Sequence, residues 1–216
     1  MTKIGVSMES LIDFLNRWQT LIGSIIGGVV GLLAASLVAY QQRRRDEDAC
    51  ATLLLGDLTI FREAVSVIIE NQRESDTDKG RIIIAHRLVM LRPTISPMFD
   101  ASMVRVISVD GKLAAHLHSF KMLYSGIMQI LDRLALQFSK EDLSVLVDNV
   151  YIKADANKLA QGIGLSIKQA ECATYFLKEL FLRRCVSWIR LTLPIRRRFY
   201  PTAEDKRSET LLREVK

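Results

Sequence analysis

Residues 113–138 read LAAHLHSFKMLYSGIMQILDRLALQF, and the spacing within them decides the fold class. Leu113, Leu117, Phe120, Tyr124, Ile127, Leu131, Leu134 and Phe138 follow one another at alternating steps of four and three. Such steps keep every member of the series on one face of an α-helix, whereas a half-buried strand would alternate every second residue. Asp110-Gly111 marks a turn just before this helix. Ser139 and Asp142 behind it have the spacing of a capping box, which predicts the start of the last long helix. That helix carries Ile163, Ile167, Ala170, Leu177 and Phe181 and is expected to run to about Leu193, where Pro194 stops it.

Upstream, Leu54, Leu58, Phe61, Val65 and Ile68 repeat the same four-three spacing, the stripe of a helix packed in coiled-coil fashion. Nothing between Tyr40 and Asn71 breaks a helix except the mild cost of Gly56. Ser75 to Gly80 reads as a polar turn, Arg81 to Leu91 as a shorter helix ending before Pro93, and Ser96-Pro97 as the start of another short helix at Pro97. Strand-like alternation is confined to Met103–Val109. The expected fold is therefore all-α: an N-terminal transmembrane helix continuing into an antiparallel bundle of three long and two short helices. The corresponding divisions are a short segment 1–19, a membrane helix 20–40, a bundle domain 41–193 and a basic tail 194–216.

Thr20 to Tyr40, TLIGSIIGGVVGLLAASLVAY, contains no charged residue. At about 1.5 Å per residue it reaches about 31 Å, enough for a hydrocarbon core of ~30 Å. Trp18 and Tyr40 bracket it, with Arg17 and Arg43-Arg44-Arg45 just outside, as interfacial aromatics and flanking cations should. A cleaved signal peptide would have an apolar run of ~7–15 residues and a short basic leader; here the run is longer and Glu9 and Asp13 lie in the leader. A buried soluble helix would rarely carry an aromatic and an arginine at each end. The arginine excess after the span predicts a single-pass protein with its N-terminus outside and its C-terminal domain in the cytoplasm. Within the span Gly23, Gly27, Gly31, Ala35 and Ala39 recur every four residues, a ridge along which a second helix backbone can approach. The simplest use of that ridge is homo-oligomer formation through the membrane helix.

The net charge of +6 is unevenly placed. Residues 1–173 hold 19 Lys/Arg against 19 Asp/Glu, while residues 174–216 hold 11 against 5 and carry the whole excess. Tyr175 to Arg198 is too charged to be a comfortable second span. It has two readings: the last helix of the domain, or an interfacial segment lying on the inner leaflet with its arginines on phosphates. In the second, Arg184, Arg190, Arg196, Arg197 and Arg198 are the anionic-surface contacts. Anionic lipid is preferred over nucleic acid because an anchor already confines the chain to the head groups.

For chemistry the sequence offers little. Cys50, Cys172 and Cys185 form no CxxC pair and read as unpaired thiols in a reducing compartment. His116 and His118 stand two apart on a helix and point to nearly opposite faces, so they cannot share a metal. GxxxxGK[ST], GxSxG and HExxH are missing. No catalytic, metal or cofactor-binding residue is assigned and no cofactor is expected. The stripe weakens from Ala154 to Gly164, where Asp155, Asn157, Gln161, Gly162 and Gly164 appear; a kink with exposed polar residues, a hinge and a polar pocket are all open there.

Ser96-Pro97-Met98-Phe99-Asp100, followed by Val106-Ile107, Gly111 and the helix with Phe120 and Tyr124, resembles a group of bacterial inner-membrane proteins without an established activity. Those have an N-terminal membrane helix, a long helix, a proline-containing segment with an aromatic and an acidic residue, and a helix with an aromatic pair near its middle. The Leu-Pro common before that helix is missing here, Lys112-Leu113 standing in its place. The resemblance implies a bacterial inner-membrane location and a helical hairpin, and brings no activity. The expected function is a membrane-tethered interaction or scaffolding module. The alternatives are a membrane-perturbing effector that forms a pore through its glycine-ridged helix, and an enzyme with a site near Asp155–Gly164.

Overall fold

The computed structural model describes residues 8–70, 77–139, 148–182 and 202–214. The helices among them are α1 (Met8–Glu70), α2 (Asp78–Met90), α3 (Phe99–Val106), α4 (Gly111–Phe138), α5 (Val150–Leu177) and α6 (Ala203–Glu214). One π-helical turn, Lys178–Leu182, follows α5 directly. There is no strand among the described residues. The alternation at Met103–Val109 is taken up by helix: Met103 and Val106 are buried on one face of α3 while Val104 is exposed.

Contacts divide the chain into two units, residues 1–46 and 47–216. The first contains the N-terminal part of α1, and none of its most apolar 18-residue window is buried within the protein. By length and composition this is a helix able to cross a membrane. The helix α1 continues without interruption over 63 residues, as the lack of a breaker between Tyr40 and Asn71 predicts.

In the second unit the three apolar stripes face one core. Leu54, Leu58, Phe61 and Val65 of α1 are fully buried, as are Leu113, Leu117, Phe120, Leu131 and Leu134 of α4. From α5 and the turn behind it come Ile152, Ala156, Leu159, Ile163, Ala170, Phe176, Leu177 and Leu180. Rings join the helices: Phe61 meets Phe120 edge-on, centroids 5.1 Å apart at 86°, and Phe99 of α3 lies 5.7 Å from the same ring. Tyr124 is half-buried beside them, 6.0 Å from Phe61, and its hydroxyl donates to the Pro93 carbonyl at 3.2 Å. Burial raises the pKa of that phenol.

Three local starts differ from those the sequence predicts. Helix α2 begins at Asp78, earlier than Arg81, because the Thr77 hydroxyl accepts from Gly80 N at 3.0 Å and caps it. Helix α3 begins at Phe99, two residues after Pro97: Ser96 Oγ accepts from Met98 N and Ser96 O from Phe99 N, which closes a turn before the helix. Ser139 ends α4 and does not open α5; its hydroxyl donates back to Leu136 O, and α5 opens on Asn149, whose side chain accepts from Tyr151 N. Asp142 and the predicted helix end at Leu193 lie outside the described residues.

Leu131 tests the packing of α4. Leu131→Asp places an unpaired charge at a position with no exposed surface and is expected to cost several kcal/mol. A thermal melt monitored on the full chain checks this, and an unchanged midpoint would mean that the stripe does not carry the core.

Candidate functional site

The residues singled out in the sequence do not converge. Gly23, Gly27 and Gly31 lie in the first unit, where a Cβ built at any of them meets no atom within 4 Å. Ala35 is exposed on the same helix. The ridge is therefore uncovered. Two polar side chains of this stretch are satisfied by the helix itself: Thr20 Oγ1 donates to Asn16 O and Ser24 Oγ to Thr20 O, each at 2.9 Å. Arg184, Arg190, Arg196, Arg197, Arg198 and Cys185 lie outside the described residues. Cys50 is half-buried and Cys172 buried, both as free thiols; burial pushes the Cys172 thiol up.

Within the stretch Asp155–Gly164, residues from Ala156 to Gly164 line a cleft of about 320 Å³. Helix α5 supplies Ala156, Asn157, Leu159, Gln161, Ile163 and Gly164; Ile69 of α1 and Arg81 and Ile84 of α2 face them. Arg81 Nη1 donates to Asn157 Oδ1 at 2.8 Å. Asp155 turns away and takes the Arg133 guanidinium, two contacts of 3.3 Å. Gly162 sits against α4, where a Cβ would meet Ile127 Cγ1 at 3.5 Å.

A second polar cluster is buried between α4, α5 and α6. His116 has no exposed surface, whereas His118 is exposed, as their two-residue separation requires. His116 Nδ1 meets Gln169 Oε1 at 2.5 Å and Nε2 meets Ser208 Oγ at 2.6 Å. An amide oxygen only accepts, so Nδ1 carries the proton and the neutral ring accepts at Nε2 from the serine hydroxyl. The ring stacks on Phe176, centroids 5.8 Å apart at 19°. Burial lowers the His116 pKa, against the opposing influence of the Gln169 contact and of Asp110. The arrangement fixes α6, which the sequence reading leaves inside the tail. Its signal was Thr202-Ala203-Glu204-Asp205, a capping box: Asp205 N donates to Thr202 Oγ1 at 3.2 Å while Asp205 Oδ2 accepts from Thr202 N at 3.0 Å. Ion pairs reinforce the docking, Lys112 to Glu209 at 3.0 Å and Arg207 to Glu171 at 2.9 Å, the latter carboxylate also holding Arg62 at 3.2 Å. Among the described residues no group of three His, Cys, Asp or Glu side chains could hold a metal ion.

The chain matches no protein-family model, and comparison with the curated proteins and with the solved structures found no match.

A neutral buried His116 makes stability depend on pH with a definite sign. Its folded pKa lies below the ordinary ~6.5, so the unfolded chain binds more protons in that window and stability falls as pH drops below about 6.5. The melting midpoint is expected to decline between pH 7.5 and pH 5. His116→Gln removes the titrating ring and should shrink this decline, while lowering the midpoint at pH 7.5. An identical pH slope in the variant would assign the effect to other groups.

Proposed function

We propose that this protein is a bacterial inner-membrane protein that holds a helical interaction module at the cytoplasmic face. It crosses the membrane once, through residues 20–40, with its N-terminus outside. The observation that carries this reading is the exposure of the apolar helix. Leu21, Ile22, Ile25, Ile26, Val29, Val30, Leu32, Leu33, Leu37 and Val38 are all between 48% and 71% exposed. Each such side chain loses roughly 1.5–3 kcal/mol when left in water and not buried. Only a surrounding apolar medium satisfies so many on several sides of one helix, and a backbone already hydrogen-bonded along its length tolerates that medium. Trp18, Tyr40 and Arg43–Arg45 at its ends support a bilayer as that medium.

Self-association through Gly23, Gly27, Gly31 and Ala35 belongs to the same reading, because no side chain of the chain itself occupies that ridge. A pore is less well supported, since the span offers no ionisable group to line water. For the second unit the antiparallel bundle remains the arrangement we favour, supported by one core shared by stripes from α1, α4 and α5. The basic arginines at 184, 190 and 196–198 fit contact with anionic lipid, worth about 1 kcal/mol per residue near the surface. Beyond them in the chain, α6 is tied to the core through Ser208.

A reporter fused after Lys216 is expected to be active only as a cytoplasmic reporter, and alkaline phosphatase at the same place to be inactive. Phosphatase activity there would reject the orientation. Neutral residues at Arg43, Arg44 and Arg45 should produce mixed topology. A peptide of residues 183–201 is expected to bind vesicles of anionic lipid and to be released by high salt; equal binding to neutral vesicles would remove the electrostatic contact.

A further inference from the structure

Helix α6 is seated on the second unit by polar side chains. The residues it buries are Asp205, Ser208 and Leu211. The apolar core that joins α1 to α5 takes in no described residue of α6, Leu211 included, so the helix can leave without opening that core. Its seat is also incompletely satisfied: Gln169 Nε2 is buried there without a hydrogen-bond partner, which water would supply. The ion pairs at the rim, Lys112 with Glu209 and Arg207 with Glu171, involve partly exposed side chains and hold weakly. What remains is the contact of Ser208 with His116.

That ring is walled by Gln169 and Phe176 of α5, and Ser208 closes the side of Nε2, the nitrogen that takes a second proton. The charged and titratable groups around it come from three helices. On α4, Asp110 favours the imidazolium and Lys112 opposes it. Helix α5 brings Glu171, engaged by Arg62 and Arg207, and the Cys172 thiol, which burial keeps protonated. Helix α6 brings Asp205 and Glu209, both on Lys112, and Arg207 with Glu204. Burial outweighs the favourable ones and keeps the docked ring neutral. Lifting α6 opens Nε2 to water and breaks few contacts, and elements with few apolar contacts open first. We propose that α6 is an acid-released latch: it is docked while His116 is neutral and detaches from α4 and α5, the apolar core staying closed, when the ring takes its second proton. Linkage fixes the sign. The open form binds the proton more tightly, so opening increases as pH falls through the ordinary ~6.5 of histidine. With the docked ring neutral throughout, the opening constant rises about tenfold from pH 7.5 to pH 5.5.

Hydrogen exchange of the full chain in nanodiscs, read by mass spectrometry and corrected for the intrinsic pH dependence of amide exchange, measures this opening. Amides from Lys206 to Thr210 are expected to be less protected than those from Leu117 to Leu131 of α4, and to lose about tenfold in protection between pH 7.5 and pH 5.5. His116→Gln is expected to abolish that loss. Ser208→Ala tests the same contact from the α6 side without touching the core, and should lower α6 protection by roughly severalfold at pH 7.5 with α4 unchanged. Equal protection of α6 and α4 at both pH values would mean that the helix leaves only when the whole unit unfolds, which overturns the latch. So would α6 protection that does not change with pH, a loss that persists in His116→Gln, or α6 protection untouched by Ser208→Ala. None of these outcomes depends on which side of the membrane holds the second unit.

Discussion

The edge-on contact between Phe61 and Phe120 is the joint on which the second unit depends. It brings together α1 and α4, whose contacting rings are separated by all of α2, all of α3 and three connections. Phe99 and Tyr124 close around the same pair, so α3 and the segment before it are positioned by the same rings. Polar groups then pin that segment. Asp57 Oδ1 accepts from Ser96 N at 3.2 Å and the Tyr124 hydroxyl reaches Pro93 O, which satisfies backbone that no helix would satisfy. Aromatic pairs in this geometry add about 0.5–1.5 kcal/mol beyond their buried area, and here the geometry also sets the register of the three helices.

The N-terminal end of α4, one turn before Phe120, is organised differently. His116, Gln169 and Ser208 form a buried chain of hydrogen bonds across three helices. Such a chain contributes less to net stability than apolar side chains of the same volume would, but it admits only one seating of its members. Ser208 is fully buried only because His116 offers it a partner, and Leu211 and Asp205 follow it into the interface. Helix α6 has few apolar residues of its own, so specificity of docking comes from this polar contact and from the ion pairs at Lys112 and Glu171.

Among the described residues, the long apolar surface left uncovered is that of α1. The apolar span of α1 exposes bulky side chains on several sides and asks for a medium. The cleft at α5 differs from it: Ile84, Leu159 and Ile163 behind it are already buried, and Arg81 is held by Asn157. The span is explained by what would have to surround it, since burial of apolar atoms is a demand that water alone meets poorly.

The helices with long stripes were legible from the residues alone. Leu113 to Phe138 and Leu54 to Ile68 alternate by four and three because one face of each must be dry, and that periodicity survives any tertiary arrangement. The apolar stretch Thr20–Tyr40 was legible for the same reason, as a run too long and too uniform for one buried face. The exact starts of α2 and α3 were not, because Thr77, Asp57 and Ser96 take up the backbone donors Gly80 N, Ser96 N and Met98 N, and only the folded chain decides which such bonds form. Nor was α6 found from its composition, although Thr202 and Asp205 carried its cap. The weakened stripe between Asp155 and Gly164 could be marked in the sequence as a departure, with kink, hinge and pocket all open. That it lines a cleft followed only when α2 brought Arg81 to Asn157, since a cavity belongs to the space between elements and no single element encodes it.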